Sequence, residues 1–482
     1  MSDNDNEAPL VPYTDILRQE CPRLRILVIG KSGAGKSALI NAVFGVDATP
    51  VSHKTPGVHD INKPLSFPSN DRIIVHDSKG FESGKEDQVQ DVLDFIEHRA
   101  NMPALADRLH AIWVCAEIPF SGSRLFETGV ERLLKECRDS VPIIVVFTKL
   151  DILRLHVEKK VERQLEERGE DLDDDEFDKV IDVKMDEAVH SLCVQPLCVL
   201  TASDSPKYPW VATSNGREPR FKKTIMELVD RALELTKLEN IWIEMAIAQR
   251  SNAKTSIDAS IRIGRKLYWR GLLSDIFIGL STRKVLDLLH RDIINVWNMD
   301  DPAGHLQKPE FLALLSVLVE DLSDEKTNHY PLTERAINAF IENPTSIIIS
   351  GPTAVVMLFA EWVRGIYKKT KNSLRCMVAF IIDLTLTMDT LFYLVLSRGT
   401  GPMTIRLVNK ALLIYKARKA PVHASIRAWA DRWGTFSHLD SNMVINKIQE
   451  LLQEYNVKPE QWMMKDEIVD ETWIAVDALR EM

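Results

Sequence analysis

The chain has 482 residues, more than one ordinary domain needs, so two or three domains are expected. With 45 % hydrophobic and 27 % charged residues it can bury a sizeable core, while a formal charge of −10 argues against bulk nucleic-acid binding through phosphate neutralisation. The six cysteines (Cys21, Cys115, Cys137, Cys193, Cys198 and Cys376) show no C-x-x-C pair and no dense spacing, so buried thiols in a reducing compartment are expected.

The first ten residues are acidic and polar, without the basic-then-apolar design of a signal peptide. No myristoylation glycine follows Met1, and Leu479-Arg480-Glu481-Met482 is no prenylation box. Residues 1–22 are therefore read as a flexible N-terminal segment of a cytoplasmic protein.

Strand patterns follow at 24–29, 72–76, 110–116, 142–148 and 197–201, alternating with helical patterns such as 37–44, 88–98 and 124–137. Short continuous apolar strands separated by helices predict a parallel sheet covered on both faces. Residues 23–222 thus read as an α/β doubly wound P-loop domain, with ligands at the carboxyl ends of the strands. Within it, the charged stretch at about 155–192 lacks the spacing and glycine of a calcium loop and is expected to be a solvated, partly helical insertion.

From 223 to 482 the pattern is helical throughout, predicting an all-α C-terminal domain in which eight of the ten tryptophans serve as core anchors. Two apolar stretches bear on membrane contact. Residues 343–360 carry no charge but contain Pro344, Gly351 and Pro352, and residues 376–397 are interrupted by Asp383 and Asp389. Neither is a clean span, so buried core helices are expected. The basic amphipathic stretch 406–432 reads as a solvated helix face, with an anionic lipid surface as the alternative.

The chemistry lies at strand ends. Gly30-Lys31-Ser32-Gly33-Ala34-Gly35-Lys36-Ser37 directly follows the first strand and matches G-x-x-x-x-G-K-[ST]. Its glycines let backbone N–H groups turn inward on phosphates, Lys36 reaches the β and γ oxygens, and the Ser37 hydroxyl can ligate Mg²⁺. Thr148-Lys149-Leu150-Asp151 ends the fourth predicted strand and fits [NT]-K-x-D. The Asp151 carboxylate can accept from N1–H and the exocyclic amino group of guanine, which adenine does not offer. Such charged hydrogen bonds are worth about 1.5–3 kcal/mol each. Asp77-Ser78-Lys79-Gly80 puts a carboxylate near Mg²⁺ and a Gly80 N–H near a γ-phosphate. Thr55, 18 residues after Ser37, can complete the metal shell, with Thr49 as its rival. Thr201-Ala202-Ser203, after the fifth predicted strand, is expected to offer the Ala202 N–H to the guanine carbonyl.

These five elements, in this order, resemble the G-motifs of the translation-factor and Ras-like GTPase superfamily over about residues 24–204. The phosphate loop, the run His110-Ala111-Ile112-Trp113-Val114-Cys115 and Arg124 are more similar to septin and AIG1-type GTPases. The helical half resembles that of uncharacterised fungal GTPases. The resemblance implies a Mg²⁺-dependent enzyme that hydrolyses GTP and whose loops around Thr55 and Gly80 relax when the γ-phosphate is lost. Lys36, Thr55 and Gly80 are its expected catalytic groups. Guanine nucleotide is the expected partner, with a homodimer through the nucleotide face possible, no nucleic acid, and membrane contact not favoured. Phe81 stands where Ras-like enzymes carry the water-orienting glutamine. Turnover is thus expected near the unaided rate of about 10⁻⁴ s⁻¹. Gly33 replaces the asparagine of potassium-activated relatives. His76, Glu82, Lys79 and Arg124 are the candidates in cis for the missing group.

Overall fold

The computed structural model describes residues 12–48, 61–77, 86–119, 123–137, 140–216, 218–267, 282–322, 371–398, 401–432, 441–458, 472–474 and 479. Strands β1 (Leu24–Ile29), β2 (Leu65–Phe67), β3 (Asn70–Asp77), β4 (Ala111–Glu117), β5 (Ile143–Thr148) and β6 (Trp210–Ala212) line up as β2-β3-β1-β4-β5-β6. Only β2 runs antiparallel, pairing with β3; the other four neighbour pairs are parallel. The register sets Leu24 opposite Ile73, Ile26 opposite Ala111 and Val145 opposite Trp210. Every residue of β1 and β5 is buried, as strands covered on two faces require.

The chain divides into two compact units, Leu17–Asn252 and Ala253–Met482 with Met1–Ile16. The boundary between them falls within α1 (Tyr13–Glu20), so part of the segment read as flexible is helix. In the first unit the helices are α2 (Lys36–Phe44), α3 (Glu86–Ala100), α4 (Thr128–Glu136), α5 (Leu150–Arg168), α6 (Asp174–Val189), α7 (Gln195–Leu200), α8 (Pro219–Glu234) and α9 (Glu239–Ala248). One sheet face carries Leu27, Ile29, Ile112, Val114, Val145 and Phe147 against Val92 and Phe95 of α3 and Leu133 of α4. On the other, Phe44 of α2 stacks on Trp113 with centroids 5.6 Å apart, α8 packs on β6, and α9 on β1 and β3.

Two expectations need correcting. Residues 197–201 are not a strand. A π turn, His190–Val194, carries α6 straight into α7, whose Leu197 is buried while Val199 is 81 % exposed. A short apolar run does not distinguish strand from helix by periodicity. The last strand is instead β6, three residues long. The sheet-bearing unit also runs past residue 222 to Asn252, because α8 and α9 cover the sheet. Asn70 Nδ2 donates to Phe44 O and Ala248 O, both at 2.9 Å, joining the last turns of α2 and α9 at the start of β3. The charged stretch is helical, as α5 and α6. Buried Arg154 of α5 pairs with Glu158 at 2.7 Å and with Asp178 and Asp182 of α6 at 2.5 and 2.9 Å.

The second unit is built on α10 (Ala253–Leu267), α11 (Thr282–Trp297), α12 (Pro309–Val319), α13 (Lys371–Arg398), α14 (Ile405–Asp431) and α15 (Ser441–Tyr455). Its axis is α13, long and apolar enough over Arg375–Arg398 to cross a membrane, yet 94 % buried within the unit over its apolar window. Its two carboxylates have partners there. Asp383 accepts from Tyr415 Oη at 2.5 Å and from His423 Nε2 at 3.0 Å, and Asp389 accepts from Val457 N at 2.6 Å. The other apolar stretch, 343–360, lies outside the described residues.

Candidate nucleotide site

The loop between β1 and α2 is shaped by glycine. A Cβ on Gly30 would stand 2.3 Å from Cys115 O, so the loop leaves β1 against the β4 backbone only because that atom is absent. Gly33 and Gly35 adopt left-handed φ of 78° and 82°. Ala34 is buried beneath the loop, and Ser32 and Gly33 are exposed at its crest. No side chain caps α2, which leaves its first N–H groups and the positive end of its dipole for an anion. Lys36 folds back over this cradle, donating to Gly30 O at 2.9 Å and Lys31 O at 3.1 Å. Its ammonium is 3.9 Å from Asp77 Oδ1 at the end of β3. Ser37 follows in the first turn of α2, partly buried.

The second loop is tied to the first. Thr148 Oγ1, at the end of β5, donates to Ala34 O at 2.8 Å and to Ala116 O at 3.3 Å. Lys149 takes a left-handed φ of 64° to open α5, and Asp151 sits in that helix's first turn. The partner of Asp151 escaped the sequence reading. Ser214 Oγ donates to Asp151 Oδ1 at 2.6 Å and accepts from Gly216 N at 2.9 Å. Leu150 N also donates to Thr213 O at 3.2 Å. Thr213 and Ser214 follow β6, so they hold the position expected of Thr201, Ala202 and Ser203.

Those three residues close α7 instead. Thr201 Oγ1 donates to Leu197 O at 3.0 Å, and the Ala202 and Ser203 N–H groups to Val199 O at 3.2 Å and Cys198 O at 3.1 Å. The Ala202 amide expected to meet a base is engaged in ending a helix. The sequence signal for the loop that meets Asp151 is Thr213-Ser214-Asn215-Gly216, a turn sequence directly after Trp210-Val211-Ala212.

His76 is also corrected as a catalytic candidate. It is fully buried; its Nδ1 donates to Ile61 O at 2.6 Å and its Nε2 accepts from Arg25 Nη1 at 2.8 Å. Burial pushes its pKa down to about 4 against the opposing Ile61 bond, so a neutral ring with both nitrogens bonded fastens residue 61 to β1. Arg124 pairs with Glu131 at 3.1 Å on the neighbouring α4. Thr49, Thr55, Lys79, Gly80, Phe81 and Glu82 lie outside the described residues.

The donor set fits Mg²⁺: the Ser37 hydroxyl in the first turn of α2 and the Asp77 carboxylate at the end of β3 are hard oxygens beside the cradle. Among the described residues no cluster of three or more His, Cys, Asp or Glu could hold a metal. Residues 25–149 match the family model of the 50S ribosome-binding GTPase.

Residues 25–149 carry a P-loop GTPase domain. The match stops at Lys149, and the fold sets Asp151 and the Ser214 loop beside the matched residues. Residues 305–466 match a second model, a domain of unknown function, DUF8505. Translocase of chloroplast 90, chloroplastic, from Arabidopsis thaliana is 40 % identical over 58 residues, 12 % of this chain. The matched stretch spans 7 % of that protein's length. A structure of an oligomerised bacterial dynamin pair, described as sensing and tethering membranes, aligns over 92 % of this chain and 81 % of its own, at 11 % identity and a TM-score of 0.26.

Proposed function

We propose that this chain binds GTP with Mg²⁺ and hydrolyses it to GDP and phosphate as a slow molecular switch. One arrangement carries the reading: the Thr148 hydroxyl joins the phosphate loop to the base loop, and the base loop presents Asp151 with its carboxylate aimed by Ser214. On this reading the backbone N–H groups of residues 30–37 bind the phosphates. Lys36 exchanges the carbonyls of Gly30 and Lys31 for β and γ oxygens. Ser37, Asp77 and Thr55 would hold Mg²⁺, which when bound neutralises charge on the β and γ phosphates. Gly80 would offer its N–H to the γ-phosphate. Thr201, Ala202 and Ser203 have no part; the doubly wound arrangement rests on the alternation of strands and helices, and the septin- or AIG1-like subclass on the motif residues alone. A cytoplasmic, reducing setting is supported by six free cysteines, five of them buried.

Calorimetry with GDP, GTP and ATP in the presence of Mg²⁺ tests the proposal. Binding of both guanine nucleotides, none of ATP, and loss on Lys36→Ala is expected. No heat with GDP or GTP would end it.

A second reading is favoured by the state of His76, whose two nitrogens are both occupied, and by Phe81 at the glutamine position. The catalytic group then comes from a second copy through the nucleotide face. Turnover per molecule would rise with protein concentration; a flat dependence would exclude it.

A further inference from the structure

Glu117 closes β4 at the carboxyl edge of the sheet, between the phosphate loop and the base loop. Its Oε1 is 2.8 Å from Lys149 Nζ and its Oε2 is 3.0 Å from Lys31 Nζ. The side chain is 22 % exposed. Burial pushes its carboxyl up, but the bonded ammonium groups of Lys149 and Lys31 outweigh that and hold it below its ordinary range. It is an anion at neutral pH, with one lysine from each loop on it.

Both lysines stand next to residues that matter. Lys31 follows Gly30, whose close approach to Cys115 starts the cradle. Lys149 has a left-handed backbone without being glycine, an unfavourable state that needs an external restraint. It is two residues from Asp151, so what fixes the backbone at 149 fixes where that carboxylate points. The same anion neutralises one of two cations at the mouth of a site built for polyphosphate.

We propose that Glu117 is a positioning residue that couples recognition of the guanine base to recognition of the phosphates, by pinning Lys149 and Lys31 to one carboxylate. This rests on the GTP-binding reading above. Two opposite consequences follow. Removing the charge frees two cations and strengthens binding of a ligand that is only phosphate. Removing the pin loosens residues 149–151 and weakens discrimination for the 2-amino group that Asp151 reads.

The experiment is calorimetry of pyrophosphate, GDP and IDP against wild type, Glu117→Gln and Glu117→Asp, with thermal unfolding as a check on folding. IDP lacks only the 2-amino group. For Glu117→Gln, pyrophosphate is expected to bind about threefold to tenfold tighter, as for removal of a partly exposed charge, while the GDP preference over IDP falls about tenfold. Glu117→Asp keeps the charge but is one methylene too short to hold both lysines. It should lose the GDP preference without the pyrophosphate gain. A purely structural role would lower all three affinities together and would overturn the proposal, as would a GDP to IDP ratio unchanged in both variants. Wild type that binds no GDP removes the GTP-binding reading and the proposal with it. Wild type that binds GDP, with variants that behave alike, removes the proposal alone.

Discussion

The Ser214 hydroxyl donates to Asp151 Oδ1 at 2.6 Å while accepting from Gly216 N at 2.9 Å, so the turn after β6 aims the carboxylate proposed to select the base. Ser214→Ala removes one hydrogen bond to a charged group, and GDP affinity should fall about tenfold, or roughly 1.4 kcal/mol. Asp151→Asn should shift preference toward xanthine nucleotides. Thr201→Ala removes only a bond inside the end of α7 and should leave GDP affinity within about twofold. Competition binding against a fluorescent guanine nucleotide measures all three.

Gly30→Ala puts a methyl 2.3 Å from the Cys115 carbonyl, which is backbone and cannot swing away. Gly33→Ala meets nothing within 4 Å and suffers only its φ of 78°. The first should destabilise by about 3 kcal/mol or more and the second by about 1 kcal/mol. Denaturant unfolding of the two variants checks the order; equal losses would show that close approach is not what Gly30 provides.

His76 and His110 are buried in the first unit, and burial pushes both down to about 4. A histidine whose folded value lies below its unfolded 6.5 favours the native state above that pH. As pH falls from about 6.5 toward 4 the unfolded chain takes up the proton first, and up to about 3 kcal/mol per ring is lost. Unfolding free energy measured from pH 7.5 to 4.5 should therefore drop. His76→Gln should flatten the slope.

His423 in the second unit runs the other way. Its ring lies between Asp321, 2.9 Å from Nδ1, and Asp383, 3.0 Å from Nε2. Burial pushes it down, but the two carboxylates overcome this and raise it to about 9. A folded value above the unfolded 6.5 stabilises fully below 6.5, and the gain fades as pH rises through 9. His423→Gln should cost about 3 kcal/mol at pH 6, where both carboxylates lose a charged partner. The gap to wild type should shrink by pH 9.5, in denaturant titrations at the two pH values.

What was legible in the sequence was local. β1 and its loop announce themselves because six apolar residues run straight into a pattern whose glycines are dictated by φ and by contact with Cys115. Thr148 and Asp151 were legible for the same reason, as fixed spacing at a strand end. What stayed hidden depends on contacts distant in the chain. Leu197 and Val199 look alike in sequence, and only packing buries one and exposes the other. Ser214 is one serine in a turn until Asp151, 63 residues away, is brought to it. Glu117 carries no motif. Its meaning comes from lysines on two different loops.

Synthesis order gives the buried axis of the helical unit a further significance. Lys371–Arg398 precedes α14 and α15, which cover much of it, so the newborn segment presents a flank as greasy as a bilayer anchor. Asp383 and Asp389 together raise the penalty for entering lipid by about 5–7 kcal/mol. The acids that knit the bundle therefore add to the cost of placing this segment in a bilayer before its neighbours are made.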